Sequence, residues 1–251
     1  MDIKFDETEK TTKEKLCYTA YMKQLVFLIF PFILTAQTYI FSGGVDNVVQ
    51  IIASKVLERA YEKAGLDMEA KFTTLEESLR LSSTGITDGE LARIKKITKL
   101  YPQLIRVPVT LVSVEAVAYT KNTQINIQTW DDLAKYDFTI VKGAKFIEKE
   151  TSHLQKNFVS TFEKAFEALE KGKTEIIVVP KKAAVRIILK KEYHNIHAAG
   201  PVLKKVDLYH FVHKRNAHLI PILTPILKQM ERNKEILYLR QAYLRTVINQ
   251  Y

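Results

Sequence analysis

Apolar and polar positions along this chain switch repeatedly between a period of two and a period near 3.6, marking a succession of strands and helices. Thr38-Tyr39-Ile40-Phe41 reads as a short strand ending at Ser42-Gly43-Gly44. From Val48 to Ala64 the spacing is helical, with Ile52, Val56, Ala60 and Ala64 on one stripe and Gly65 as the stop. Met68 to Phe72 returns as a strand. Thr74 and Glu77 have the spacing of a capping box for a helix through Leu79. Ile86 to Leu91 is a third strand, and Val112 to Tyr119, rich in β-branched residues and free of breakers, is the clearest strand of all.

A second block repeats the scheme. Thr129 opens a short helix WDDLAKY, Phe138 to Val141 is a strand ending at Lys142-Gly143, and Ser160 with Glu163 makes another capping box. Phe162, Ala165, Phe166 and Leu169 form the buried face of the helix that follows, and Gly172 ends it. Glu175 to Val179 reads as a buried strand, Pro180 starts a helix through Lys190, and Leu208 to His213 is a last strand. Two helices around 222–230 and 236–248 close the chain. Such alternation over two blocks predicts two α/β lobes with mainly parallel sheets. Without a long glycine- or proline-rich linker, strand-like crossings must join them, and VAYTKNTQI and KKVDLYHFVHK are the candidates.

Ahead of the first strand, Met22 to Ala36 reads MKQLVFLIFPFILTA: a lysine, an almost unbroken apolar run and a small residue at its end. This is the anatomy of a secretory signal peptide, with cleavage expected after Ala36 and export to the periplasm. Leu25 to Leu34 falls short of the roughly 20 apolar residues of a spanning helix, and Pro31 argues against a packed core helix. The alternative is a disordered tail followed by a buried strand or helix. Residues 1–21 are polar, lack a core pattern and read as an extension before a natural start at Met22. Cleavage leaves Gln37 to Tyr251, a length that suits one large domain or two lobes of roughly 100 residues.

Hydrophobic content of 47% and only eight glycines describe a globular core. The one cysteine, Cys17, lies ahead of the expected cleavage point, so the exported chain has no disulfide, thiol nucleophile or cysteine metal site. The net charge of +10 admits anionic partners. Its lysines and arginines, however, are interleaved with apolar positions as in KKAAVRIILKK, the pattern of solvated helix faces and not of a nucleic-acid interface.

The order of these elements resembles the family 3 extracellular solute-binding proteins, periplasmic substrate-binding proteins with a type II two-lobed fold. YIFSGGVDNVVQIIASKVLERAYEKAGL, the central GITDGELARI, YPQLIRVPVTLVSVEAVAYTK and the closing VDLYHFVHKRNAHLIPILTPILKQMERNKEI follow that family's order over 38–245. The resemblance implies an α/β fold in which each lobe is a mainly parallel sheet flanked by helices, with two strand-like hinge crossings. Lobe one would be 38–119 plus 208–251, and lobe two 121–206. It further implies capture of a small solute between the lobes by hinge closure, read by a membrane permease of an ABC transporter or by a membrane sensor. A monomer suffices, and neither a cofactor nor a metal is required.

Candidate ligand-binding residues follow from this layout. Ser42, Gly43 and Gly44 end the first strand, where glycine lets backbone approach closely; a plain turn is the alternative. Asp88, Glu90 and Arg93 follow the third strand, where the family places groups facing the cleft. An arginine there can grip a carboxylate, or simply pair with Glu90 or Asp88. Gly143, Ala144 and Lys145 lie on the matching loop of the other lobe, and Tyr119 at the first crossing can stack on a ligand or pack. Amino-acid-binding members usually carry an acid near the end of the later lobe-two strand. Here Pro180, Lys181 and Lys182 stand instead, which favours a ligand without an ammonium group, such as an organic anion.

Five histidines, His194, His197, His210, His213 and His218, crowd one stretch, but His210 and His213 point to opposite faces of a strand and do not suggest a metal site. No Gly-x-Ser-x-Gly elbow, HExxH or P-loop occurs, so a non-enzymatic role is expected, with an enzyme bearing a site in the cleft as the contrasting class.

Overall fold

A computed structural model describes residues 37–45 and 47–248; the expected signal segment and the stretch before it lie outside these. Among the described residues, nine strands make one continuous sheet. In chain order they are β1 (Thr38–Gly44), β2 (Asp67–Thr73), β3 (Gly89–Ile94), β4 (Leu104–Thr120), β5 (Phe138–Val141), β6 (Asn157–Val159), β7 (Ile176–Pro180), β8 (His197–Ala198) and β9 (Lys204–His213). Their spatial order is β2-β1-β3-β9-β4-β7-β5-β6, with β8 on β4. The two wings, β2-β1-β3 and β7-β5-β6, are parallel. The centre, β3-β9-β4-β7, is antiparallel throughout.

The helices are α1 (Val48–Lys63), α2 (Leu75–Ser83), α3 (Ile97–Leu100), α4 (Lys145–Glu150), α5 (Phe162–Glu170), α6 (Lys181–Lys191), α7 (Leu219–Arg232) and α8 (Glu235–Ile248). Asn47 caps α1 by accepting from Val49 N at 3.1 Å. The predicted stripe Ile52, Val56, Ala60 is buried, and so are Ala53 and Leu57 beside it. Gly65 adopts φ +69° where the helix ends. Thr74 caps α2 as expected, its hydroxyl accepting from Glu77 N at 3.2 Å. The second capping box is displaced by one residue. Thr161, not Ser160, caps α5 and accepts from Lys164 N at 3.2 Å; with hydroxyls at both positions, spacing alone does not choose between them.

Strand β4 is the longest element and the joint of the molecule. It pairs with β9 from Leu104 to Ala116, and from Ala116 to Thr120 it pairs with β7. The change of partner therefore falls near Ser113–Ala116, ahead of the VAYTKNTQI segment expected to cross. Nothing in the side-chain alternation records which neighbour a strand has, so the partner switch is silent in the sequence. Register slips between Arg106 and Thr110, where Pro108 has no N–H to give the ladder. The main apolar core runs through both wings, from Phe41, Ile52 and Leu57 to Ile140, Phe166 and Val178, and a smaller cluster joins Leu79, Ile97, Leu104 and Phe211.

Candidate functional site

The carboxyl ends of β1, β3, β5 and β7 meet where the two wings face each other, the place where open α/β sheets bind ligands. Arg93, at the end of β3, is the centre of this region and is 6% exposed. Its Nε donates to Glu90 at 2.9 Å, and Nη2 donates to the Leu75 carbonyl and the Ser78 hydroxyl, both at 2.8 Å. Glu90 is fully buried and also accepts from Ser78 at 2.6 Å and Ser82 at 3.0 Å. The two charges thus neutralise each other inside a shell of small hydroxyls, which is what a buried ion pair requires.

The remaining guanidinium nitrogen, Nη1, crosses to the other wing and donates to the Gly143 carbonyl at 3.2 Å. Gly143 holds φ +88°, and a Cβ there would lie 2.5 Å from Glu76 N and 2.6 Å from the Leu75 carbonyl carbon. Glycine is needed for both reasons: the left-handed backbone and the direct approach to the first turn of α2. Lys142 completes the contact with an ion pair to Glu76 at 2.8 Å. Glu148 fastens the loop from below, accepting from Gly143 N at 2.6 Å and from Lys145 at 2.7 Å.

The halves are closed on each other, and a cavity of about 40 Å³ is left between them, lined mainly by apolar side chains including Val49, Leu75, Ile97, Phe146 and Phe162. Pockets that hold small molecules are typically about 300–1,000 Å³, so this space is smaller than a usual ligand pocket. Polar side chains line it as well, among them Asn47, Gln50, Arg93 and Lys145. Gln50 is 2% exposed and its Nε2 donates to the Ala92 carbonyl at 2.7 Å, while its Oε1 is buried without a partner. Sequence reading passed over Gln50 because it lies off the α1 apolar stripe. A polar residue in the first turn of a helix buried on nearly every side was the available signal.

The other expected site residues are distributed as follows. Ser42 is buried and its hydroxyl donates to the Ser78 carbonyl at 3.0 Å, so it ties β1 to α2. Gly43 and Gly44 fit against Leu91 and Leu75, which a Cβ would meet at 2.6 and 2.5 Å; their smallness serves packing here. Ala144 and Lys145 line the closed cavity with Gly143. Asp88 is not brought to the cleft. It sits at the opposite end of β3, accepting from Ile40 N at 2.8 Å, Arg215 at 2.7 Å and Asn216 at 2.8 Å. Burial opposes ionisation there, but these bonds prevail and keep its carboxyl below the ordinary range. Tyr119 packs 5.9 Å from Phe166, and burial pushes its phenol up to about 12.

The histidines diverge. His210 lies wholly buried, its Nδ1 2.8 Å from the Glu90 carbonyl and its Nε2 3.0 Å from the Tyr61 hydroxyl. A carbonyl only accepts, so Nδ1 carries the proton and Nε2 accepts from Tyr61. His218 instead contacts Tyr39 at 3.2 Å.

No family model and no curated protein matches this sequence. Solved structures do match in shape. A histidine kinase sensor domain with similarity to periplasmic binding proteins superposes with a TM-score of 0.71 at 14% identity, covering 83% of this chain and 96% of that one. This chain has the two-lobed fold of periplasmic binding proteins. A mutant of ArgBP from T. maritima gives a TM-score of 0.67 at 13% identity, covering 83% and 95%. An amino acid ABC transporter substrate-binding protein, AbpA from Streptococcus pneumoniae bound to L-arginine, gives 0.68 at 11%, covering 84% and 96%. The periplasmic-binding-protein fold gives the Arg93–Gly143 contact its setting, at the boundary between the two lobes.

Proposed function

We propose that this protein captures a small polar solute between its lobes by hinge closure, outside the cytoplasmic membrane, and presents the closed form to a membrane partner without covalent chemistry. The observation that carries this reading is that Gln50, whose Oε1 is buried without a partner, lines the same cavity as Arg93. A buried acceptor left unpaired is costly, of order 1–3 kcal/mol, and a solute donor would satisfy it. Arg93 would offer that solute the donor it now gives to Gly143. Because Glu90 already balances the Arg93 charge, a polar solute serves as well as an anionic one. Pro180 and Lys181 stand at the end of β7, so the site offers no carboxylate there to an ammonium group, and an arginine ligand like that of AbpA is disfavoured.

The handoff to a transporter and the handoff to a sensor share this capture step. Similarity to a histidine kinase sensor domain favours keeping the sensor as the second reading. Thermal melting against a panel of amino acids, organic acids and polyamines, in the native protein and in Gln50→Ala, tests the capture step common to both.

A further inference from the structure

A second cavity, of about 240 Å³, opens beside the cleft and shares with it the side chains of Val49 and Val114. Five elements build it: the starts of α1, α6 and β9, residues 112–115 of β4, and the middle of α8. Four cations line it, Lys181, Lys182, Lys205 and Arg240, against the single acid Glu115. Glu115 is only loosely paired, 3.8 Å from Lys205.

Two of the cations are half-buried. Arg240 spends one nitrogen on the Thr110 carbonyl, Nη2 to O at 3.1 Å, while its Nε is buried without a partner. Burial, then the neighbouring Arg240 charge, lowers the Lys182 ammonium below its ordinary range. Burial likewise lowers Arg240. Half-buried like charges held together are unfavourable, and Glu115 near Lys182 and Glu231 and Asp207 near Arg240 offset this only in part. The first turn of α6 adds to the positive field, since Pro180 supplies no side-chain cap to its free N–H groups.

We propose that this crevice is an anion site, and that a small polyvalent oxyanion bound there ties α6 to α8 across the hinge strand. The polyvalent class follows from the excess of charge in the lining, four cations against one acid, with Glu231 and Asp207 acting on Arg240 from outside it. The unpaired Arg240 N–H supplies a directional donor suited to a phosphate or carboxylate oxygen. The site stands apart from the Arg93 cleft and needs no solute in it. It also gives a role to the two lysines after Pro180, which the capture of a polar solute does not use.

Thermal melting in inorganic phosphate and in citrate, each against sodium chloride at matched ionic strength, is the test. At least one of the two anions should raise the melting temperature beyond chloride. Lys182→Gln should abolish that response, and Arg240→Met, which keeps the packing of the stem, should weaken the apparent affinity by roughly tenfold. A response to phosphate alone assigns a tetrahedral ligand, and one to citrate alone a carboxylate. Lys96→Gln, in a different surface crevice, and Gln50→Ala, in the cleft, should leave the response unchanged. The proposal is overturned if neither anion exceeds chloride, or if Lys182→Gln and Arg240→Met both respond like the native protein. Loss of a cleft solute in Gln50→Ala with the anion response intact separates this site from the capture site.

Discussion

Arg93 and Gly143 join the two lobes directly: the guanidinium donates to the carbonyl at 3.2 Å, with no side chain between them on the Gly143 side. Everything around this bond prepares it. Glu90 and Ser78 hold the guanidinium from the β2-β1-β3 wing, and Glu148 holds the Gly143 amide from the β7-β5-β6 wing. On the proposed capture mechanism, this bond is the one that would break when the lobes part.

Gly143→Ala should loosen the closed form. The new methyl would fall 2.5 Å from Glu76 N, and the left-handed backbone adds a cost of about 1–2 kcal/mol. Amide exchange at the start of α2 should quicken while the two sheet wings stay protected. Unchanged exchange at Leu75–Ser78 would show that this loop does not latch the lobes.

Removing Arg93 alone should be far worse than removing the pair. Arg93→Met strands the buried Glu90 carboxylate, and breaking such a pair costs about 3–5 kcal/mol. The double variant Arg93→Met/Glu90→Gln should recover a large part of that loss in urea denaturation. Equal destabilisation of single and double variants would contradict the ion-pair account.

His210 makes stability depend on pH in a defined window. Burial holds its imidazole down to about 4, against an ordinary value near 6.5. Between these values the unfolded chain binds the extra proton and the folded chain does not. Stability is therefore full above about pH 6.5 and falls as the pH drops toward 4, by about 3 kcal/mol in total. His213, also lowered, chiefly by burial, acts in the same direction, so the comparison is with His210→Gln, where the pH slope should be visibly shallower. Asp88 acts separately, below its ordinary carboxyl range, because its folded value is lowered.

Asp88→Ala should cost stability without touching capture. It removes the acceptor of Ile40 N, Arg215 and Asn216 at the far end of the sheet, with an expected loss of about 1–3 kcal/mol. Solute-induced shifts in melting should keep their size. A lost solute response in a folded Asp88→Ala protein would return this residue to the binding site.

The strands and helices of both wings were readable because their signals are local: the Thr74 cap, the glycine stops at 65 and 172, the β-branched run at 112–119. The seam was not. β4 continues back through Pro108 to Leu104 and changes partner near Ala116, and neither fact leaves a trace in the alternation of its side chains. Of the candidate site residues, Arg93, Glu90 and Gly143, expected from their positions at strand ends, are brought together in one hydrogen-bond network. Asp88, only five residues from Arg93, falls at the other end of the same strand, because β3 begins at Gly89 and not at Ile86. Gln50 stayed hidden because a buried, half-satisfied amide looks in sequence like any polar residue of a helix.

Capture of a solute in the Arg93 cleft is tested most directly by melting the protein against amino acids, organic acids and polyamines. At least one polar solute should raise the melting temperature in proportion to the logarithm of its concentration above Kd, and Gln50→Ala should remove that shift while leaving the phosphate or citrate response in place. If no solute shifts the native protein, or the same solute shifts Gln50→Ala equally, the cleft is not a capture site.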